Sequence, residues 1–386
     1  NYDYQAPIGE FGRIRDSYKY LRLLHTFIHS FGHQLAPMET VLPDGYQNIK
    51  PENRETLRFA ARMKDGSGFL FMTNFQDHDT ARIDQKDLKI SLNLKKESLN
   101  IPSNGTFTLK KDVSAILPFN FDMDGALLKY ATAQLLTKLD DNGVAHYVFF
   151  APDGFTPEYI FDKKTVRSHK IHFTPTPGTK SSFRLTTSSG KKIIVTTLTR
   201  QQALNTLQLE DGRLLITEAT VLPEKNKVTF LSIGKPSIEY IIYPSKKGWE
   251  PQIVSVDSIS THLEWSKIGN QRISVHPEFS YLSHINDYFL NIHYTGDVGM
   301  AFINNDIVHD HFWYGEPWSI GLKRFRTELE KCGEINFYFR PLNKKAPFIS
   351  MGGIPISAFP KFDNQTNVLS IDKVELVPEY RIEVKW

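Results

Sequence analysis

The chain has 386 residues, more than one ordinary hydrophobic core holds, so about two to four domains are expected. Lysine and arginine number 46 against 43 aspartate and glutamate, and the charges are interspersed, which argues against a nucleic-acid-binding protein. No apolar run approaches the ~20 residues of a membrane-spanning helix, and the single cysteine, Cys332, excludes an intrachain disulfide.

The first twelve residues predict a short strand that runs into an irregular loop. Two tyrosines flank Asp3, Pro7 interrupts regular pairing, and two glycines frame Glu10. This order of strand, loop and then helix is that of one unit of an alternating barrel, in which the loop after a strand lies on the ligand-binding face.

A helix is predicted from Arg13 to Phe31. Its apolar residues recur at spacings of three and four, which places them on one face: Leu21, Leu24, Ile28 and Phe31. Asp16 is the predicted N-cap and Gly32 the predicted C-cap. One strand and one helix cannot close a barrel, so we expect this pair to pack on the following domain, on a partner, or on a segment outside this sequence.

From Ala36 onward the pattern changes to short strands separated by turn residues. The runs in which apolar residues alternate or cluster are 57–63, 69–75, 88–94, 107–109, 116–121, 147–150, 183–185, 193–198, 214–217, 228–231, 238–243, 288–294, 298–303 and 335–340. Regular spacing of such strands predicts β-sandwiches, and the 12% aromatic content with 23 glycines and 21 prolines suits a β-rich protein.

Two segments need separate interpretation. The composition of Ala126–Leu139 favours a helix, whereas the turn sequences on both sides of it favour strands. We predict a strand, paired with residues 147–150 across the turn at Asn142-Gly143. Residues 200–204 are predicted to form a helical turn.

The opening residues also resemble a known family. Tyr2-Asp3-Tyr4-Gln5-Ala6-Pro7-Ile8, Glu10, Gly12 and Lys19-Tyr20-Leu21-Arg22 resemble the last strand, loop and helix of the catalytic barrel in family 35 glycoside hydrolases, the β-galactosidases. Weaker similarity runs through residues 68–75, 127–133 and 297–325. The resemblance implies a retaining β-galactosidase whose two catalytic glutamates lie upstream of this motif, so no catalytic residue and no cofactor is expected in this chain.

The fold class that follows is mainly β: tandem β-sandwich or jelly-roll, galactose-binding-like domains preceded by a strand–helix remnant of a (β/α)8 barrel. The predicted division is a barrel remnant, a β-sandwich, a second β-domain and a carbohydrate-binding-module-like jelly roll, at residues 1–35, 36–162, 163–248 and 249–386. The expected partners are a galactoside or other saccharide and the missing catalytic barrel. The resemblance favours a periplasmic or extracellular location, and the oligomeric state is not determined.

Tyr4 is the site residue that the resemblance assigns, because the second tyrosine of this motif lines the galactose pocket in the family. A phenol can cover the C–H face of a sugar and hydrogen-bond a hydroxyl. The alternative is a buried structural tyrosine. Asp3 and Glu10 could be read as an acid pair, but residues seven apart across a glycine loop have no defined separation, so a loop-capping role is favoured.

A second group lies between His309 and Trp318. His309-Asp310-His311 has the residue types of a metal site, but no further ligand motif accompanies it, so histidines on a surface loop are predicted and no metal. The densest aromatic group of the chain follows, and Trp313 and Trp318 are candidates for stacking on a saccharide. For Trp318 a place in the core is an equal alternative. Asp77-His78-Asp79 is interpreted as a polar loop.

Three functions remain open at this point. The chain is the accessory C-terminal part of a retaining β-galactosidase, a non-catalytic saccharide-binding protein that uses residues 309–318, or a set of structural β-domains that mediates assembly.

Overall fold

The structure, a computed structural model, describes residues 6–76, 81–280, 282–350 and 359–385. Contacts group the chain into two compact units. Unit 1 comprises Asn1–Arg15, Glu218–Glu239 and Ile253–Trp386, and unit 2 comprises Asp16–Thr217 and Tyr240–Gln252. Residues 1–15 belong to unit 1 and residues 16–35 to unit 2. The boundaries at residues 36, 163 and 249 stay predictions.

Unit 2 contains helices α1 (Asp16–Leu35) and α2 (Arg200–Leu204) and the 3₁₀ turn Tyr46–Asn48. Its strands are Glu39–Val41, Arg58–Lys64, Ser67–Thr73, Gln85–Leu88, Ile90–Leu94, Glu97–Ile101, Phe107–Leu109, Ser114–Met123, Ala126–Ala131, Gln134–Asp141, Val144–Ala151, Tyr159–Phe161, His172–Phe173, Ser182–Thr186, Lys192–Thr199, Thr206–Gln208 and Leu214–Thr217. Two further strands, Ser237–Tyr243 and Gln252–Ser255, contain positions at which the chain passes from one unit to the other.

Two sheets of unit 2 pack face to face. The larger has seven strands, in the order 39–41, 58–64, 67–73, 114–123, 126–131, 159–161 and 172–173, and the smaller has four, in the order 134–141, 144–151, 192–199 and 182–186. Phe69 and Phe121 of the larger sheet share one buried cluster with Phe149 and Val195 of the smaller. Because each strand turns alternate side chains toward this cluster, the arrangement is the predicted β-sandwich.

The ambiguous segment Ala126–Leu139 is β, as predicted, but it forms two strands. Ala126–Ala131 belongs to the seven-stranded sheet and Gln134–Asp141 to the four-stranded sheet, so the chain changes sheets between them. Gln134–Asp141 pairs with Val144–Ala151 across Asn142 and Gly143, whose φ angles of 54° and 79° suit a two-residue hairpin turn. The helical turn at residues 200–204 is also confirmed.

Helix α1 is present, but its predicted end is wrong. It continues through Gly32 to Leu35, and its most buried residues are Phe27 and Phe31, at 1% and 2% exposure. Phe27 contacts Phe69 edge to face, with ring centroids 5.4 Å apart, and Phe31 contacts Phe121 in the same way at 5.7 Å. The two large rings fill the sandwich core, and the helix is oriented by them.

The predicted apolar face of α1 is therefore mostly on the outside. Leu21, Leu24 and Ile28 are 43%, 38% and 43% exposed, although Phe31 of the same predicted face is buried. Periodicity identified an apolar stripe correctly, but the aromatic residues on the neighbouring side of the helix bury more area per side chain.

Unit 1 contains the 3₁₀ turn Lys323–Phe325 and helices α3 (Arg326–Cys332) and α4 (Pro347–Ser350). Its strands are Thr220–Glu224, Lys227–Ile233, Leu263–Lys267, Arg272–Pro277, Ile285–Thr295, Val298–Ile303, Asp306–Phe312, Trp318–Gly321, Ile335–Phe339, Leu342–Asn343, Asn367–Val368 and Ser370–Lys385. None of the helices in the described parts of the chain is long and apolar enough to cross a bilayer.

Ten of the strands of unit 1 form a second sandwich. One five-stranded sheet has the order 220–224, 227–233, 370–385, 285–295 and 318–321, and the other has the order 263–267, 272–277, 335–339, 298–303 and 306–312. Leu290 and Trp318 from the first sheet meet Val275 and Phe337 from the second in one buried cluster. The mainly β prediction is confirmed; the jelly-roll topology and the barrel remnant stay predictions.

Candidate functional site

Residues 6–15 fold back on themselves within unit 1. Ile8 and Ile14 form an antiparallel bridge, the amide of Arg15 donates to the carbonyl of Pro7 at 3.1 Å, and that of Gly9 donates to Arg13 at 2.9 Å. Gly12 closes the turn with a φ of 76°, a conformation that glycine adopts without strain. The turn presents Glu10 and Phe11 to the strand Asp306–Phe312 and to the segment after Trp318–Gly321.

The side chains of His309 and Arg324 hold the carboxylate of Glu10. Its Oε2 lies 2.8 Å from Nε2 of His309, and its Oε1 accepts a hydrogen bond from Nη1 of Arg324. Arg324 also donates through Nη2 to the backbone carbonyl of Glu10 at 3.2 Å, and its guanidinium lies 4.9 Å from the ring centroid of Phe11. Both carboxylate oxygens of Glu10 are therefore engaged by donors.

The tautomer of His309 follows from its neighbours. Trp318 Nε1, which can only donate, lies 3.0 Å from His309 Nδ1, so Nδ1 must be the unprotonated acceptor. The ring hydrogen of His309 is then on Nε2, where it is donated to Glu10.

Trp318 lies in the core beneath this network. Its ring is 1% exposed and stacks on His311, with centroids 5.5 Å apart and an interplanar angle of 8°. A Cβ at Gly299 would come within 2.7 Å of Trp318 Cζ3, so glycine is needed where the ring crosses that strand. His311 in turn is bonded through Nδ1 to the hydroxyl of Tyr294 at 2.9 Å.

The electrostatics of the two ionisable neighbours differ. Burial raises the pKa of Glu10, but the hydrogen bonds from Arg324 and His309 outweigh burial and bring the pKa below its ordinary value. Burial, followed by the proximity of His309 and Arg15, lowers the pKa of His311 to about 3. Glu10 is therefore a carboxylate, and His311 is a neutral imidazole, over the physiological range.

We call Glu10, Phe11, His309, Trp318 and Arg324 the Glu10 cluster. A general acid of a glycosidase needs a raised pKa and a proton to give, whereas Glu10 has a lowered pKa and accepts from both of its partners. The cluster is built to anchor the 6–15 turn on the unit 1 sandwich. This agrees with the capping role favoured for Glu10 over an acid pair with Asp3, which lies outside the described residues.

The other predicted site residues have the following places. Tyr4 and the segment Asp77-His78-Asp79 lie outside the described residues. The prediction that His309 and His311 lie on a surface loop is wrong, because both residues belong to the strand Asp306–Phe312. Residues two apart in a strand face the same side of the sheet. Over the ranges that the structure describes, no group of three or more metal-binding side chains could hold an ion.

The two tryptophans proposed for sugar stacking are both buried. Trp313 is 5% exposed and Trp318 is 1% exposed, and both belong to the unit 1 core cluster. Stacking on a saccharide requires an accessible ring face. Saccharide binding at these rings stays a prediction, and their burial favours the core alternative that the sequence left open for Trp318.

Sequence reasoning missed two members of the Glu10 cluster, Phe11 and Arg324, and also Gly299, which leaves room for the Trp318 ring. Arg324 lies in a basic stretch beside an aromatic residue, an arrangement that does not by itself indicate a bond to a loop more than 300 positions away. Gly299 follows the turn at Gly296-Asp297 and could be mistaken for another turn residue. Only the closeness of Gly299 to the Trp318 ring explains why a residue without a side chain occupies this position.

The folds and the cluster define a mainly β protein made of two sandwich units. Residues 47–221 match the family described as β-galactosidase, domain 2, so the chain contains a β-galactosidase-related domain. That match covers the seven-stranded and four-stranded sheets of unit 2, apart from the short strand Glu39–Val41.

A curated protein that is similar to part of this chain is also described as a β-galactosidase. Probable β-galactosidase B of Emericella nidulans is 25% identical over 213 residues, which are 55% of this chain and 20% of that protein. The chain thus matches about a fifth of the length of this relative. A solved α-xylosidase of family GH31 from Xanthomonas citri aligns with 90% of this chain and 37% of its own at 10% identity, but the TM-score of 0.13 carries no argument.

Proposed function

We propose that this chain is the C-terminal, non-catalytic part of a retaining family 35 β-galactosidase, which hydrolyses terminal β-D-galactosides. The observation that carries the proposal is the match of residues 47–221 to β-galactosidase domain 2. The resemblance of residues 2–22 to the end of a catalytic barrel supports it independently, because that motif directly precedes the matched domain.

The exposed face of helix α1 also supports the proposal. Leu21 and Ile28 are each 43% exposed and lie, with Leu24, along one side of the helix next to its buried aromatic residues. A stripe with this spacing is typical of a helix that packs on a second element. In the proposed parent, the catalytic barrel covers this stripe.

Catalysis would then be divided between segments. Retaining hydrolysis uses two carboxyl groups about 5 to 5.5 Å apart, one as acid and base and the other as nucleophile, and both would lie in the barrel upstream. Tyr4 would contact the galactose. The Glu10 cluster would hold the turn that follows Tyr4, because Glu10 and Phe11 tie residues 6–15 to the unit 1 sandwich.

The experiment compares this chain with a longer protein that adds the proposed barrel. We expect the purified 386-residue chain to leave a chromogenic β-galactoside unhydrolysed and the longer protein to turn it over. Tyr4→Phe in the longer protein should lower kcat/KM by about tenfold, as expected for the loss of one hydrogen bond to substrate. Turnover by the chain alone, or an upstream sequence without a barrel, would overturn the proposal.

A further inference from the structure

A cleft of about 730 Å³ opens in unit 2, beside the seven-stranded sheet. Its walls are the segment 37–41, the hairpin turn at residues 64–67 and the hairpin turn at residues 94–97. Asn120 and Leu127, on neighbouring strands of the sheet, complete the lining. Every lining residue belongs to unit 2, and none belongs to the Glu10 cluster.

Asn120 has an unusual backbone conformation for its place. Its φ is 46°, although it lies inside the strand Ser114–Met123 and its neighbours Phe119 and Phe121 stay paired with Tyr130 and Leu128. A non-glycine residue in this region costs free energy, and such residues concentrate at sites of function. Asparagine tolerates the conformation better than most residues do, which fits its selection here.

The side chain of Asn120 joins two walls of the cleft. Its Nδ2 donates to the carbonyl of Gly66 and to Oε1 of Glu97, both at 2.9 Å. Its Oδ1 is buried and has no hydrogen-bond partner within the part of the chain that the structure describes. A buried amide oxygen without a donor is rare in folded proteins, which marks this position a second time.

Glu97 adds an ionised acceptor. Lys129 contacts both carboxylate oxygens, at 2.5 and 2.6 Å, and this bond is the largest cause of the lowered pKa of Glu97. The side chain of Glu97 is still 35% exposed, whereas that of Lys129 is 16% exposed. The carboxylate therefore faces the cleft with its charge already balanced from beneath.

The remaining side chains determine the class of ligand. Lys64, Lys95 and Lys96 are matched in number by Glu39, Asp65 and Glu97, and Lys129, paired with Glu97, adds one positive charge, so the cleft is close to neutral. Met63, Leu94, Val41 and Leu127 supply apolar surface. Donors, acceptors and apolar patches with nearly balanced charge suit a neutral polyhydroxylated molecule.

We propose that this cleft is a saccharide-binding site carried by the β-galactosidase-related domain itself, with Glu97 as its hydroxyl-binding residue and Asn120 as the residue that positions Glu97. The site consists of residues of unit 2 alone and stands whether or not the chain is part of a glycosidase. A β-galactoside is the first probe because of the proposed function, and cellobiose is the second.

The experiment is an NMR titration of the full chain labelled with [methyl-13C]methionine. Met63 lines the cleft and reports on it, whereas Met300 lies in unit 1 and serves as the internal reference. With lactose or cellobiose, we expect a saturable shift of the Met63 methyl signal and no shift of the Met300 signal. Absence of a saturable Met63 shift with both sugars would overturn the site; binding of cellobiose alone would keep the site and count against a galactoside ligand.

Two variants test the named residues. Glu97→Gln removes the ionised acceptor, and Asn120→Gly removes the amide while allowing the positive φ; each should weaken sugar binding about tenfold, as for loss of one hydrogen bond to a charged or buried group. The matched controls are Glu250→Gln, which also removes a carboxylate paired with a lysine, and Asn142→Gly, which also replaces an asparagine at positive φ. Both controls should bind within about twofold of the unmodified chain.

An anion site is the competing outcome. Sodium sulfate should leave the Met63 signal in place if the ligand is neutral. A saturable sulfate shift stronger than that of either sugar would contradict the proposal, and so would sugar binding by Glu97→Gln and Asn120→Gly as strong as that of the unmodified chain. A thermal unfolding midpoint measured for every variant shows that the protein titrated is folded.

Discussion

Glu10 Oε2 and His309 Nε2 lie 2.8 Å apart although 299 positions separate the residues in sequence. The histidine is fixed in one tautomer by Trp318 and the carboxylate is engaged on its other side by Arg324. Each group thus limits the chemistry of the other: Glu10 has no proton to give, and His309 donates its Nε2 hydrogen to Glu10. Glutamate and histidine often act in catalysis, but here Glu10 and His309 anchor the 6–15 turn.

The first prediction concerns the strength of this anchor. In a double-mutant cycle of Glu10→Ala and His309→Ala, we expect a coupling free energy of about 1–3 kcal/mol, because the pair is largely buried and charge-assisted. Urea unfolding followed by a probe in unit 1 measures it. The exposed pair Glu218 and Lys235, at 71% and 72% exposure, is the control and should couple by less than about 0.5 kcal/mol. Equal coupling in the two cycles would contradict the anchor.

The second prediction concerns acid stability through His146. Its Nδ1 lies 2.8 Å from the hydroxyl of Tyr243, and its Nε2 lies 2.7 Å from that of Thr196. Tyr243 donates its own hydrogen to Asp141, so it accepts from Nδ1, and the ring is held neutral. Burial lowers the pKa of His146 from 6.5 to about 4.

Proton linkage gives the direction in which stability changes with pH. Between the two pKa values the unfolded chain binds the proton and the folded chain does not, so stability is fully present above pH 6.5 and is lost as the pH falls toward about 4. The loss from this residue should be about 3 kcal/mol. Denaturant unfolding of His146→Gln should show a flatter slope across this range, while His169→Gln, at an exposed position, should keep the original slope. An unchanged slope for His146→Gln would rule out His146 as a cause of the loss of stability at low pH.

The third prediction tests the contact of Gly299 with Trp318. Gly299→Ala should destabilise unit 1 by about 1–3 kcal/mol, since the new methyl group would lie 2.7 Å from Cζ3 of a ring that is fully enclosed. Thermal unfolding gives the value. Gly32→Ala inside helix α1 controls for the general effect of replacing glycine and should be stabilising by up to about 1 kcal/mol. A neutral Gly299→Ala would mean that the ring can move.

The fourth prediction separates the two faces of helix α1. Phe31→Ala should cost about 3–5 kcal/mol because it empties a core position that is 2% exposed. Leu24→Ala, at 38% exposure, should change stability by less than about 0.5 kcal/mol in this chain. Urea unfolding of both variants makes the comparison. A large cost at Leu24 would contradict the exposed position of this side chain.

Most strands could be predicted because their signals are local. Each run that the sequence marked, from 57–63 to 335–340, contains a strand in the structure, and the Asn142-Gly143 turn joins the two strands predicted for it. Alternation and turn chemistry act over a few residues, so they can be read without knowing the fold. The candidate site could not be predicted in this way, because Glu10, His309 and Arg324 meet only through packing.

The sequence by itself therefore determined the mainly β character, the positions of the turns and the presence of a helix after residue 15. Tertiary structure alone decided which face of α1 is buried, since that depends on whether Phe27 and Phe31 or the leucines find a complementary core. It also decided that His309 and His311 lie in a strand above Trp318, and that Asn120 joins the Gly66 turn to Glu97. These outcomes rest on contacts between distant segments, whose free energy no local pattern contains.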